Sequence, residues 1–304
     1  MKHIIIDCDP GIDDALALLL AAGSPSLRVL AVTTVAGNRP VATTAVNGRK
    51  IMDLAGQRQV PVYAGAALPL GYAEARCNLV HGEDGLGGVD VGAASPVQDG
   101  HAANRLIELL LEHPPHTIEL VATAPLTNLA LAESLSPGIL RRARRLLIMG
   151  GALRFPGNIT PAAEFNFYAD PIAAGMVLAA GANTVLFPLD VTSSAIMTPA
   201  WIDSFLQLGS ACGRAAAGML QAYAELDPLL HDACPVAHLL DETLFTGEPC
   251  RVEVDWRPGP TAGHALAWFG EQVGAAHPPN VLAMTAVRND ALLALVRGAI
   301  ATLP

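Results

Sequence analysis

Short apolar runs alternate with longer, helically spaced segments through the first two thirds of the chain. HIIIDC (3–8), LRVLAVTTV (27–35), TIELVAT (117–123), RLLIMGG (145–151) and TVLFPLDV (184–191) are short, rich in β-branched residues and bounded by turn formers, which predicts buried strands. Between them IDDALALLLAAG (12–23), ATTAVNGRKIMDLAG (42–56), AANRLIELLLEH (102–113), PLTNLALAES (125–134) and DPIAAGMVLAAG (170–181) carry helical spacing. Strand–helix alternation predicts right-handed βαβ units: an α/β fold with an open, mostly parallel, Rossmann-like sheet and helices on both faces. The last third departs from this pattern. Helical segments at 200–209, 213–226 and 234–241 precede RVEVDW (251–256), HALAWFG (264–270) and NVLAMTAV (280–287), which read as an appended strand group before a closing helix. No repeat, low-complexity tract or linker interrupts residues 1–304, so they read as one domain.

Ligands of open parallel sheets bind beyond the carboxyl ends of the strands. Those ends deliver polar residues here: Asp7 and Asp9 after the first predicted strand, Gly37-Asn38 after the second, Thr123 after the third, and Met149-Gly150-Gly151 after the fourth. Four such ends mark one rim.

Composition narrows the picture. With 52% hydrophobic and 15% charged residues the chain is built to bury a large core, and its formal charge of −10 argues against a nucleic-acid binder. Five cysteines without a CxxC pair fit reduced thiols better than a disulfide framework or a zinc site. The apolar start is too short for a signal-peptide core, and ALALLLAAG falls below the roughly 20 residues of a membrane span. The expectation is a cytoplasmic protein with no membrane partner.

The chemistry concentrates in IIIDCDPGIDDA. Asp7, Asp9, Asp13 and Asp14 crowd a strand-to-helix junction. On a strand, Asp7 and Asp9 share a face by period two, and Asp13-Asp14 enter the first helical turn, where acids cap the helix and favour its dipole. Capping accounts for Asp13 or Asp14 but not for Asp7 and Asp9. A cation accounts for all four, and carboxylates without nearby His or Cys pairs suit Ca²⁺ or Mg²⁺ rather than zinc. Two further segments offer weaker signals. In GNITPAAEFNFYADP, an extended EFN would place Glu164 and Asn166 on one side, suited to paired sugar hydroxyls. In LLHDACPVAHLL, His231-Asp232 precede an apolar helix, where Asp232 could equally be an N-cap. His81 lies in a Gly-rich loop.

Together DCDPGIDDALALLLA, TTVAGN, VHGEDG, LVATAPLTNLA, IMGGA, GNITPAAEFNFYADP and LHDACPVA, in this order over most of the chain, resemble the inosine–uridine-type nucleoside hydrolase family. The resemblance implies cleavage of the N-glycosidic bond of ribonucleosides to ribose and free base, with Ca²⁺ held by the Asp9, Asp14 and Asp232 carboxylates and the Thr123 carbonyl. It also implies Asp9 as general base, His231 as leaving-group acid, and Asp13, Asn38, Met149, Asn158, Glu164 and Asn166 on the ribose. His81 matches a histidine near the base, and Asp7 a supporting acid. His231 before Asp232 resembles the nonspecific or pyrimidine-preferring branches rather than the strictly purine one, which stacks aromatic residues on the base. Tyr223 is the one evident aromatic counterpart, and Trp201, Trp256 and Trp268 are read as packing residues. The resemblance also implies a homo-oligomer, a dimer or tetramer, as is common among relatives of this kind. Two rival readings stand beside this one: a noncatalytic nucleoside- or ribose-binding protein on the same scaffold, and a phosphotransferase using Asp7-x-Asp9 as nucleophile and acid.

Overall fold

The computed structural model describes residues 1–304. Nine strands, β1 (Lys2–Cys8), β2 (Leu27–Thr34), β3 (Val62–Ala64), β4 (Ile118–Ala122), β5 (Arg145–Met149), β6 (Thr184–Phe187), β7 (Phe245–Val254), β8 (Ala265–Trp268) and β9 (Val281–Val287), form one sheet in the order β3-β2-β1-β4-β5-β6-β9-β7-β8. From β3 to β9 all neighbours are parallel; β7 runs antiparallel to both β9 and β8. The connections leave β1 toward β3 and then return to β4 on its other side. That reversal is the switch point at which a crevice opens beyond the strand ends, and the acid cluster sits there.

The last strands are not simply appended. β9 continues the parallel sheet beside β6, and only the β7–β8 pair is added, through β9. RVEVDW is the second half of a longer strand that starts at Phe245. β3 goes unrecognised in the sequence because three residues carry too little periodicity. TVLFPLDV stops being a strand at Phe187, where Pro188, lacking an N–H for the ladder, opens the short helix over Leu189–Thr192.

Eleven α-helices cover the sheet. α1 (Ile12–Ala22), α2 (Val41–Leu54), α9 (Ala211–Ala224), α10 (Ala233–Leu240) and α11 (Asn289–Ile300) lie on one face. α3 (Ala102–Glu112), α4 (Thr127–Leu135) and α6 (Pro171–Ala179), with the one-turn α5 (Phe165–Ala169) before it, lie on the other. Strand alternation divides β1 between the two cores: Ile4, Ile6 and Cys8 face the first, Ile5 the second. α1 packs against α2, α9, α10 and α11, so every residue from Ile12 to Ala21 is buried. That is why ALALLLAA shows no polar stripe. Truncating Leu18 to Ala would cost about 2–5 kcal/mol by the usual cavity penalty. α7 (Leu189–Thr192) and α8 (Pro199–Asp203) are short connectors on the α1 side. No helix is long and apolar enough to cross a membrane.

Of the three tryptophans, Trp201 packs edge-on to Phe205 and donates to the Leu293 carbonyl, and Trp268 stacks on His277. Trp256, expected to pack, is instead 58% exposed.

His238, in the last turn of α10, lies between the rings of Phe187 and Phe245. Burial lowers its pKa from 6.5 to about 4. The unfolded chain therefore takes up the proton first, and the stability owed to the neutral ring is complete above pH 6.5 and lost as the pH falls toward 4. Urea denaturation of His238→Phe between pH 7.5 and 4.5 is expected to show a shallower acid-side loss than the parent; an unchanged slope would mean that another group carries it.

Candidate active site

The carboxyl ends of β1, β2, β4 and β5 and the loops after them enclose a cavity of about 370 Å³. Its deep end is acidic. Asp7 Oδ1, near the end of β1, accepts from Thr33 of β2 at 2.6 Å and from Asn128 of α4 at 2.8 Å. The chain then leaves the sheet at Asp9, turns at Pro10-Gly11 and enters α1. Asp9 Oδ2 accepts the Asn38 backbone N–H at 2.6 Å, while Oδ1 is buried with no partner. Gly37 permits this approach, since a Cβ there would collide with the Asp9 carboxylate. Asp14 accepts from the Thr123 hydroxyl at 2.8 Å, from Gly11 N–H at 3.1 Å and from the Asn38 amide at 3.2 Å. Asp14 thus caps its own helix from inside, as the first-turn position allows.

Asp232 is not a capping residue. It stands at the start of α10 but makes no side-chain cap bond, which leaves its carboxylate for the cluster. Ligand atoms of Asp13, Asp14 and Asp232 all lie within 4.8 Å of one another, and all three residues are buried. The single basic contact is His81 Nε2, 3.7 Å from Asp13. Burial first, and then mutual repulsion, drives the Asp9 and Asp232 carboxyls well above the ordinary range and Asp14 to about 7; burial takes Asp7 to about 7. Five carboxylates without a lysine or arginine, two of them (Asp7 Oδ2 and Asp9 Oδ1) holding an unpartnered buried oxygen, fit a hard divalent cation. Thr123 is nearby, but its carbonyl already accepts from the Asn166 amide at 3.1 Å, leaving one lone pair for any other partner.

Glu164 and Asn166 reach the cavity by a different route from the extended triplet expected. Glu164 is the N-cap of α5: its carboxylate takes the N–H groups of Asn166, Phe167 and Gly151, so the helix begins one residue later. Asn166 donates to the Thr123 and Met149 carbonyls, tying the ends of β4 and β5 together. Asn158 accepts the Phe165 N–H. Asn38, Asn158, Glu164, Asn166 and Met149 all line the cavity, as do Asp13, Thr123, His81, His231 and Asp232. Asp9 lies behind this lining, and Asp7 deeper still. Neither Asp7 nor Asp9 is among the residues that line the cavity, and both are buried.

The outer end is mixed. His81 accepts the Ile12 N–H on Nδ1 at 3.1 Å, which fixes its orientation, and its ring stacks on Tyr223 with centroids 5.0 Å apart. Burial lowers the His81 pKa. The Tyr223 hydroxyl reaches Asp13 Oδ2 at 3.4 Å, which secures its place in the site. His231 is held at both nitrogens: Thr192 Oγ1 lies 2.8 Å from Nδ1 and Asp227 Oδ2 3.2 Å from Nε2. Burial disfavours the charged ring, but Asp227, with Asp13 and Glu164 behind it, outweighs burial and raises the His231 pKa. Asp227, Thr192 and Asn78, which donates to Asn38 Oδ1, were not found from the sequence. Only Asp227, four residues before His231, had a spacing that could have signalled it.

The family model for inosine-uridine preferring nucleoside hydrolases matches residues 4–294. The chain belongs to this family. It is a ribonucleoside hydrolase, acting on small nucleosides. The inosine-uridine preferring nucleoside hydrolase of Leishmania major is 37% identical over 301 residues, covering 95% of this chain and 93% of the relative. A pyrimidine-specific ribonucleoside hydrolase of Klebsiella pneumoniae is also 37% identical, over 96% of each chain. Among solved structures, a purine-preferring ribonucleoside hydrolase from Gardnerella vaginalis superposes with a TM-score of 0.91 at 28% identity, covering 99% of this chain and 98% of that one. Hydrolases named for different bases therefore share this scaffold.

Because Asp7 and Asp14 hold their protons to about pH 7 when no cation is bound, the folded chain binds more protons than the unfolded one between pH 3.8 and 7. Stability owed to the protonated carboxyls is complete below 3.8 and is lost as the pH rises through 7. Chelated protein is thus expected to melt at lower temperature at pH 8 than at pH 5.5, and an added divalent cation to reverse the loss at pH 8. A melting temperature at pH 8 indifferent to chelator and cation would exclude a metal at this cluster.

Proposed function

We propose that the protein cleaves the N-glycosidic bond of ribonucleosides with Asp9 as general base, His231 as leaving-group acid and Ca²⁺ as the bound ion, and that it accepts uridine, cytidine and inosine rather than purine nucleosides alone. The observation that carries this reading is the unpartnered, buried Oδ1 of Asp9, whose carboxyl interacts with Asp14 of the Asp13-Asp14-Asp232 cluster. A carboxylate oxygen with no donor, beside a cation site, is poised to take a proton from water. Calcium, where bound, supplies charge that anchors ribose hydroxyls and eases ionisation of that water. Asp9, Asp14 and Asp232 are the carboxylates assigned to hold it, with the Thr123 carbonyl; Asp13, the third member of the geometric cluster, is assigned to the ribose.

The ribose belongs in the deep end. Asn38, Met149, Asn158, Glu164 and Asn166 offer polar atoms there, and the Asp13 and Glu164 carboxylates favour the positive charge that develops on the sugar as the bond breaks. The base then extends toward His81, Tyr223 and His231. One face of the Tyr223 ring is already taken by His81, and no tryptophan lines the cavity, which supports tolerance of smaller bases over purine stacking. A homo-oligomer, dimer or tetramer, belongs to the same reading; exposed Trp256 offers apolar surface for a second copy.

A panel of inosine, adenosine, guanosine, uridine and cytidine, scored for free base and ribose, tests the assignment. Release from uridine, cytidine and inosine is expected. Turnover confined to adenosine and guanosine would reverse the base preference, and nucleoside binding without any base release would make the protein a noncatalytic binder. Asp9→Ala is expected to lower kcat far more than it weakens nucleoside binding; near-parental turnover in that variant would remove the general-base role. Chelation is expected to abolish turnover and Ca²⁺ to restore it.

A further inference from the structure

Two asparagine side chains that line the cavity form a relay whose direction is fixed at both ends. Asn78 stands on the loop between β3 and α3, and Asn38 on the loop after β2. Asn78 Oδ1 accepts the Val80 backbone N–H at 3.1 Å, and a peptide N–H can only donate. The Asn78 amide is thereby turned so that its Nδ2 faces Asn38, donating to Asn38 Oδ1 at 2.8 Å. Asn38 Nδ2 in turn donates to the Asp9 backbone carbonyl, which can only accept, and to Asp14 Oδ2, both at 3.2 Å. Reversing either amide would set oxygen against oxygen and N–H against N–H. Both Asn38 N–H groups and one Oδ1 lone pair are thus consumed, so all that Asn38 has left for a ligand is an acceptor. A hydroxyl can donate to it; a carbonyl oxygen cannot.

The setting is tight. Asn38 is buried, and Gly11 lacks the Cβ that would collide with Asn38 Nδ2 and with the His81 ring. The loop that carries Asn78 has a separate anchor: Arg76 lies between the Tyr72 and Tyr168 rings and donates to the Tyr168 carbonyl at 2.6 Å. Asn78 is therefore not the sole tether of its loop.

We propose that Asn78 is a positioning residue for nucleoside binding: by donating to Asn38 Oδ1 it holds the Asn38 amide with its N–H groups on the acids and its oxygen available to one ribose hydroxyl. The proposal rests on the reading that places Asn38 on the ribose. Asn78 acts through Asn38, so its influence is confined to the hydroxyl that Asn38 accepts.

The test pairs two variants with sugar analogues. Asn78→Asp keeps the size of the side chain and the Val80 contact but meets Asn38 Oδ1 with an oxygen. Asn78→Ala removes both contacts. Inosine and its 2′-, 3′- and 5′-deoxy forms are measured as competitive inhibitors of p-nitrophenyl riboside cleavage. Inhibition by inosine is expected to weaken roughly 3–10-fold in Asn78→Ala, the scale of one hydrogen bond, and further in Asn78→Asp, where a buried oxygen is left facing another. For the deoxy form that lacks the hydroxyl held by Asn38, parent and variants are expected to bind alike, while the other two keep the loss. A role confined to the loop gives the opposite order, Asn78→Asp near parental and Asn78→Ala impaired, and that order would overturn the proposal. Equal losses on all three deoxy forms would overturn it too, since the added charge of the Asp side chain acts on all of them. Asn38→Ala tests the underlying reading separately. It is expected to weaken inosine and to leave Asn78→Ala without further effect in the double variant. Parental inhibition by inosine in Asn38→Ala would take Asn38 off the ribose, and the role of Asn78 would go with it.

Discussion

Five buried carboxylates, Asp7, Asp9, Asp13, Asp14 and Asp232, without a lysine or arginine to neutralise them, are the constraint around which this molecule is arranged. Unscreened like charges at this spacing are tolerable only if protons or a cation intervene, and every nearby element serves that condition. Asn38 and Gly11 direct N–H groups at the acids, Thr123 directs a hydroxyl, and Gly37 gives up its side chain to let Asp9 approach. The sheet places these donors by its topology: the two strands that flank the reversal of direction, β1 and β4, end beneath the cluster.

The fold and the site are joined by α1. Its N-terminal turn presents Asp13 and Asp14, and the rest of it is packed on all sides. A helix packed on all these sides has little room to shift and relieve repulsion at its first turn, so the relief has to come from bound protons or a cation. The outer end of the cavity has the opposite character. Leu226 is 68% exposed and Ile159 42% exposed, and both sit on connecting segments rather than on the sheet. The deep end of the cavity is thus lined from strand ends and helix starts, and its outer end partly from exposed connecting segments.

Much of this was legible from sequence because the first two thirds repeat one unit. Four of the apolar runs ended at Asp7 and Asp9, Gly37-Asn38, Thr123 and Met149-Gly150-Gly151, and the rim could be read from those ends. The acids were legible because repulsion makes them conspicuous. What escaped had physical reasons. β3 is too short to show a period, and the α5 start at Phe165 depends on Glu164 accepting N–H groups from Gly151 as well as from its own helix, a contact no local pattern reports. Asp232 looked like a cap because its neighbours suit one; only the three-dimensional cluster shows that its carboxylate is turned elsewhere. Thr192 and Asn78 act through partners 39 and 40 residues distant, beyond any local spacing rule.

The insertion of β9 between β6 and β7 bears on how the polypeptide matures. Strands β7 and β8 emerge from the ribosome before β9, and can pair with each other as an antiparallel unit, yet they have no seat on the sheet until Val281–Val287 arrives beside β6. α11, which closes over α1, is later still. The helix that carries Asp13 and Asp14 precedes α11 in the chain, so its enclosure is completed only once Asn289–Ile300 has been made and packed against it.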